Sequence, residues 1–198
     1  GKGVVHCKDT PNFIANRIGV FSMAMMLPYF FDGDFRAEEI DVLTGKLTGY
    51  SKAATFRTAD MAGNDVINHV AENLYPAVPD DEKREVFDLP AGFKKMIKKD
   101  MYGNKAGKGF YKKVKTDKGK AYHVLNPDTF EYEPQQDLED ETVAEAKKNY
   151  KPTGDRIKFL VNQDDRVGKF VWETQRELML YAANRLPEIS DSVQAVDR

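Results

Sequence analysis

Two stretches of this 198-residue chain combine residue types that could do chemistry. The first is Gly103-Asn-Lys-Ala-Gly-Lys-Gly-Phe-Tyr111. Glycines let backbone amides approach an anion closely, and a lysine among them suggests a phosphate-binding loop. The spacing is one residue short of that motif, and Gly109 stands where a magnesium-holding serine or threonine belongs. The order is also reversed. A helix precedes the stretch and a strand follows it, whereas the phosphate loop runs strand, loop, helix. A nucleoside triphosphate site is not expected; a helix stop and a turn into a strand is. The second stretch is Asp9-Thr-Pro-Asn-Phe-Ile-Ala-Asn-Arg17, followed by the apolar run Ile18–Phe31. It places the amide of Asn16 on an otherwise apolar helix. A buried amide without partners costs about 1–3 kcal/mol. Asn16 therefore either ties its helix to a neighbouring backbone or offers its amide to a ligand.

Other constellations are poor. His6, His69 and His123 lie far apart, with no cysteine or carboxylate at metal-ligand spacing. His6 and Cys7 are adjacent in an extended segment, where successive side chains point to opposite faces, so they make no nucleophile–base pair. His69 follows Asp65 by one helical turn and reads as its surface partner. No Gly-x-Gly-x-x-Gly is present, so the chain carries no dinucleotide fold of its own.

These residues need elements to hold them. Pro11 suits a first helical turn, with Asp9 or Thr10 as the cap. Apolar residues then fall on nearly every side of the wheel (Phe13, Ile14, Ile18, Val20, Phe21, Met23), which predicts a buried central helix. A short helix over Arg36–Leu43 ends at Gly45. Val66, Ile67, Val70, Ala71 and Leu74 mark an amphipathic helix after Gly63, capped by Asn64 or Asp65. Pro76–Leu89 reads as a loop. Pro90 opens a further helix whose Lys94, Lys95, Lys98 and Lys99 make a solvated face. Phe110–Val114, Ala121–Leu125 and Phe130–Glu133 alternate with Asp117-Lys-Gly119 and Asn126-Pro-Asp128, the pattern of an antiparallel meander. A charged linker containing a surface helix (Leu138–Tyr150) leads to helical segments at Ile157–Val161 and Val167–Leu186, then a last piece at Ile189–Val196.

Lys8-Asp-Thr-Pro-Asn-Phe-Ile-Ala-Asn-Arg17 resembles the segment that opens the C-terminal helical domain of L-3-hydroxyacyl-CoA dehydrogenases, departing at Asn12, where that family has Gly. Thr55-Phe-Arg-Thr-Ala-Asp60 with Gly63-Asn-Asp65 resembles its central block, with Asp60 and Asp65 read as helix caps and Arg57 as pairing nearby. Gly103–Tyr111 resembles its closing Gly-x-Lys-Thr-Gly-x-Gly-Phe-Tyr signature, with Ala106 for Thr. The resemblance implies a mainly α fold, a helical bundle of that type with a small antiparallel β meander. It implies that Asn16 contacts the acyl-CoA substrate and that Lys105 reaches NAD held by a neighbouring nucleotide-binding domain. The histidine base of the reaction and its orienting glutamate belong to that N-terminal domain, so a fragment without it is expected to be inactive. Larger family members carry a second, degenerate helical copy, and the end of the chain faintly echoes its beginning.

The resulting division is a helical domain over 1–113, a meander and charged linker over 114–155, and the start of a truncated second repeat over 156–198. Within the last, Phe170, Trp172, Leu178 and Tyr181 would form an apolar face open to a symmetry mate, giving a homodimer. Hydrophobic residues make up 41%, charged residues 31%, and the net charge is −2. Such a balance favours neither nucleic acid nor an anionic membrane. The apolar run is too short to span a bilayer, which takes about 20 residues. One cysteine and no visible leader suggest a cytoplasmic protein. The chain starts within Gly1-Lys-Gly-Val-Val5 without an initiator Met, as expected of a fragment. The competing reading is a non-catalytic helical module whose apolar helix mediates assembly.

Overall fold

The structure is a computed structural model that describes residues 4–117 and 119–197. Gly1–Gly3, Lys118 of the Asp117-Lys-Gly119 turn and Arg198 lie outside the described residues.

The first helix starts later than its sequence suggests. Asn12 and Phe13 both take positive φ, +64° and +54°. Left-handed backbone cannot continue a right-handed helix, so α1 spans Ala15–Ala24 and receives no side-chain cap from Asp9 or Thr10. Asn tolerates that conformation better than most residues, which explains why the related motif has Gly there. Pro28 sits at the start of α2 (Leu27–Phe31), which continues the apolar run after a turn at Met25–Met26. The expectation of a helix buried on every side is not met. Only Arg17, Phe21 and Ala24, one stripe at helical spacing, are buried in α1, and Phe13 is 52% exposed.

After α3 (Ala37–Leu43) come α4 (Phe56–Ala62) and α5 (Asn64–Ala77), separated by Gly63 at φ +107°. The proline-bearing loop that follows holds a 3-10 turn at Arg84–Phe87 and leads to α6 (Ala91–Lys98). The lysines of α6 face solvent, as their spacing indicated. The meander is β1 (Tyr111–Thr116), β2 (Gly119–Leu125) and β3 (Tyr132–Pro134), antiparallel in the order β1-β2-β3. Tyr111 lies opposite Val124, and Leu125 opposite Tyr132. Then α7 (Glu141–Asn149) and α8 (Thr153–Leu160) lead into the long α9 (Arg166–Asn184), and α10 (Val193–Asp197) closes the described chain.

Buried apolar side chains form one cluster that extends from Phe21 in α1 to Tyr181 in α9. Phe110 anchors the meander to it, stacked on Phe56 at 4.1 Å and edge-on to Phe30 at 5.4 Å. Tyr181 stacks on Phe21 at 3.7 Å. Phe170 and Tyr181, expected to wait for a symmetry mate, are 2% and 1% exposed within this chain. α1 and α2 supply the surface they cover. Trp172, on the opposite side of α9, remains 49% exposed.

Candidate functional site

The glycine-rich turn is built around a buried carboxylate. Asp60 projects from α4 and accepts the N–H of Phe110 (3.0 Å) and the Asn64 amide (3.0 Å) on Oδ1, and the N–H of Tyr111 (2.8 Å) on Oδ2. The turn can close on it only because side chains are missing. A Cβ at Gly109 would stand 2.0 Å from Asp60 Oδ1, and one at Gly103 would stand 2.4 Å from the Asp60 carbonyl oxygen. Asp60 is therefore a hub for the turn, not the helix cap its sequence position suggested. The cap of α4 comes from Asp41 in α3, which accepts from the N–H of Phe56 (2.6 Å) and Arg57 (3.1 Å) and from the Tyr111 hydroxyl (2.8 Å). Burial pushes both carboxyls up to about 6, against the opposing pull of those donors. Burial and the neighbouring Asp41 raise the Tyr111 phenol as well.

Asn16 is exposed, contrary to its expected burial. The buried polar residue is its neighbour Arg17, with no accessible surface at all. Arg17 Nε donates to the Tyr181 hydroxyl (2.7 Å) and Nη2 to Asp81 Oδ2 (2.7 Å), while Nη1 lies 3.1 Å from Glu188. Tyr181 donates to the same Asp81 oxygen at 2.8 Å, and Arg185 approaches it at 3.4 Å. Burial alone would raise Asp81, but the N–H of Lys83, Arg17, Tyr181 and the Arg185 charge together hold it below the usual carboxylate range. Two arginines and two carboxylates thus join α1, the loop after α5, α9 and the turn beyond it. Sequence reasoning missed this cluster, because Asp81 sits in a polar loop and Tyr181 is 164 residues from Arg17. The backbone at Asn16 is fixed by it, while the Asn16 amide stays at the surface.

Lys105 lies in the 3-10 turn Asn104–Ala106, half exposed, and its Nζ meets Asp65 at 2.6 and 2.7 Å. That bond holds Asp65 below its ordinary value. Asp65 is thus the partner of Lys105 rather than of His69, and Gly63, not Asn64 or Asp65, takes the cap position of α5, with no capping side chain. Arg57, expected to pair nearby, lies between two rings, 4.1 Å from Tyr111 and 4.4 Å from Tyr122. These rings border an open cavity of about 570 Å³ that also touches Lys52, Met61 and Asn104. Neither Asn16 nor Lys105 lines it.

A helical body and a meander thus meet at a glycine turn locked on a buried aspartate. The model of the 3-hydroxyacyl-CoA dehydrogenase, C-terminal domain, matches residues 13–113, about half of the chain, and the chain belongs to that family. It is similar to a probable 3-hydroxyacyl-CoA dehydrogenase of Bacillus subtilis, 42% identical over all of this chain and 24% of the relative. A probable 3-hydroxyacyl-CoA dehydrogenase of Deinococcus radiodurans is 43% identical over 61% of this chain and 34% of its own length. The mitochondrial hydroxyacyl-coenzyme A dehydrogenase of Sus scrofa is 30% identical over 57% of this chain and 34% of its own length. The chain thus spans between about a quarter and a third of the length of these relatives. No helix among the described residues is long and apolar enough to cross a membrane.

Proposed function

We propose that this chain is the substrate-facing helical part of an NAD-dependent L-3-hydroxyacyl-CoA dehydrogenase of fatty acid β-oxidation, acting with an N-terminal nucleotide-binding domain. The reaction oxidises the 3-hydroxyl of an acyl-CoA to a ketone. A histidine oriented by a glutamate, both in the partner domain, takes the hydroxyl proton by general base catalysis. NAD bound by that domain would supply the hydride acceptor. The observation that carries the reading is the exposed Asn16 amide beside the buried Arg17 cluster. A polar group without a hydrogen-bond partner among the described residues, on backbone held by an ion network, is suited to orient a substrate carbonyl.

Lys105 fits a supporting contact to the cofactor. Its ammonium sits at the surface on a glycine-bounded turn, and an exposed ion pair such as that with Asp65 contributes at most about 1 kcal/mol, so an incoming anion can share it. The turn itself is fixed through Asp60. Alone, the chain is expected to bind ligand weakly and to show no turnover, since the base lies elsewhere. A homodimer would have to use the apolar groups still at the surface, such as Phe13, Trp172, Met179 and Leu180. The exposed free thiol of Cys7 suits the reducing cytoplasm.

Steady-state kinetics of the complete dehydrogenase carrying Asn16→Ala test this. The expected result is a drop in kcat of at least about tenfold at an unchanged melting temperature, equivalent to one substrate hydrogen bond. Unchanged kinetics would return Asn16 to a surface role and leave the non-catalytic assembly module as the better reading.

A further inference from the structure

The cavity beside α4 has features that the substrate contact at Asn16 and the cofactor contact at Lys105 do not use. Its volume, about 570 Å³, is in the range of small-ligand sites. Lys52 and Arg57 both line it. Among the described residues neither forms an ion pair with a carboxylate, whereas Arg17, Lys94 and Lys105 each do. Arg57 is also held in place. The Tyr111 and Tyr122 rings flank its guanidinium, and Nη2 donates to Gln135 at 2.9 Å. A third cation, Lys113, stands 5.5 Å from the Tyr122 ring. The acid in the lining, Asp60, has both oxygens engaged by backbone N–H groups and Asn64. Tyr122 is 39% exposed, so part of its ring remains open to a planar partner. A held arginine and an exposed lysine, neither in an ion pair among the described residues, beside an accessible aromatic ring are the chemistry that recognises a phosphate ester carrying a base.

We propose that this cavity is a subsite for a nucleoside phosphate, with Lys52 and Arg57 meeting the phosphate and the Tyr122 ring meeting the base. The same chemistry is offered by a free mononucleotide and by the 3′-phosphorylated ADP end of coenzyme A. The inference does not depend on Asn16 acting on substrate, and its test involves no turnover.

Titration calorimetry of the chain with 3′,5′-ADP measures the site directly, with adenosine and inorganic phosphate as partial probes. The expected result is saturable binding by 3′,5′-ADP and at least about tenfold weaker binding by either partial probe. Lys52→Glu, at an exposed position that leaves the fold intact, should weaken binding about tenfold, and Tyr122→Leu by a similar factor. Binding should also weaken as salt rises. Competition by coenzyme A would assign the site to the coenzyme's nucleotide end, and 3′,5′-ADP binding without such competition would assign it to a free nucleotide. Absence of wild-type binding at millimolar 3′,5′-ADP, or binding by Lys52→Glu or Tyr122→Leu as tight as that of the wild type, would overturn the proposal.

Discussion

Replacing Gly109 by alanine tests the claim that the glycine signature is a clamp on Asp60. The new methyl would stand 2.0 Å from Asp60 Oδ1, 2.6 Å from its Cγ and 2.6 Å from the Gly103 Cα. Gly103 is backbone already pressed against Asp60, so the carboxylate has to give way. Its departure leaves the N–H groups of Phe110 and Tyr111 and the amide of Asn64 short of an acceptor inside the protein. Each orphaned buried donor costs about 1–3 kcal/mol, and partial relaxation brings the whole to roughly 3–5 kcal/mol. That is a large part of the roughly 5–15 kcal/mol that holds a typical domain together. Gly107→Ala is the control. It has open space around the added methyl but a φ of +71°, so it carries only a backbone penalty of about 1–2 kcal/mol. Urea unfolding followed by circular dichroism gives both values, and hydrogen exchange at Phe110 and Tyr111 should accelerate in Gly109→Ala alone. If Gly109→Ala loses no more stability than Gly107→Ala, the clamp is not what the glycines are for.

Arg17→Met leaves buried Asp81 with the Lys83 N–H, the Tyr181 hydroxyl and a more distant Arg185, and should cost about 3–5 kcal/mol in urea unfolding; adding Asp81→Asn should recover part of that loss. The carboxyls of Asp41 and Asp60, raised to about 6 in the folded state, bind protons more tightly there than in the unfolded chain. Their contribution is therefore complete below about pH 4 and is lost as the pH rises through about 6. The melting temperature should fall between pH 5 and 7, and less steeply in Asp41→Asn. Asp81 has the opposite sign: its depressed value supports stability above the unfolded carboxylate range and withdraws it in acid. Lys105→Ala should leave the melting temperature nearly unchanged, since its ion pair is exposed, and should raise the KM for NAD in the complete enzyme.

Local pattern carried much of the architecture. The meander was readable because aromatic and β-branched runs alternate with turn residues, and its strands fall within a few residues of where that pattern places them. The glycine signature was readable as a turn, and its Phe110 does enter the core. Three features were hidden. The left-handed pair at Asn12 and Phe13 moves the helix start, and nothing in the side chain of Phe13 announces a positive φ. Arg17 carries a charge that normally lies outside, so its burial depends on Asp81 and Tyr181, partners brought in from far along the chain. Asp60 looked like a helix cap because aspartate favours caps; its three donors arrive from the turn at Gly109–Tyr111 and from Asn64. The exposure of Asn16 follows from the same cause as the burial of Arg17. Once the arginine is drawn inward, the residue before it, about 100° round the helix, is left at the surface.

The stacking of Tyr181 on Phe21 has an evolutionary side. The Deinococcus radiodurans and Sus scrofa relatives align with 61% and 57% of this chain, while the Bacillus subtilis relative aligns with all of it. In a chain with the longer arrangement, the seam between early and late segments is written in charges that only each other can neutralise. Mutations at Arg17, Asp81 and Tyr181 can then be accepted in concert far more readily than singly, so drift along this seam should leave a record of correlated exchange.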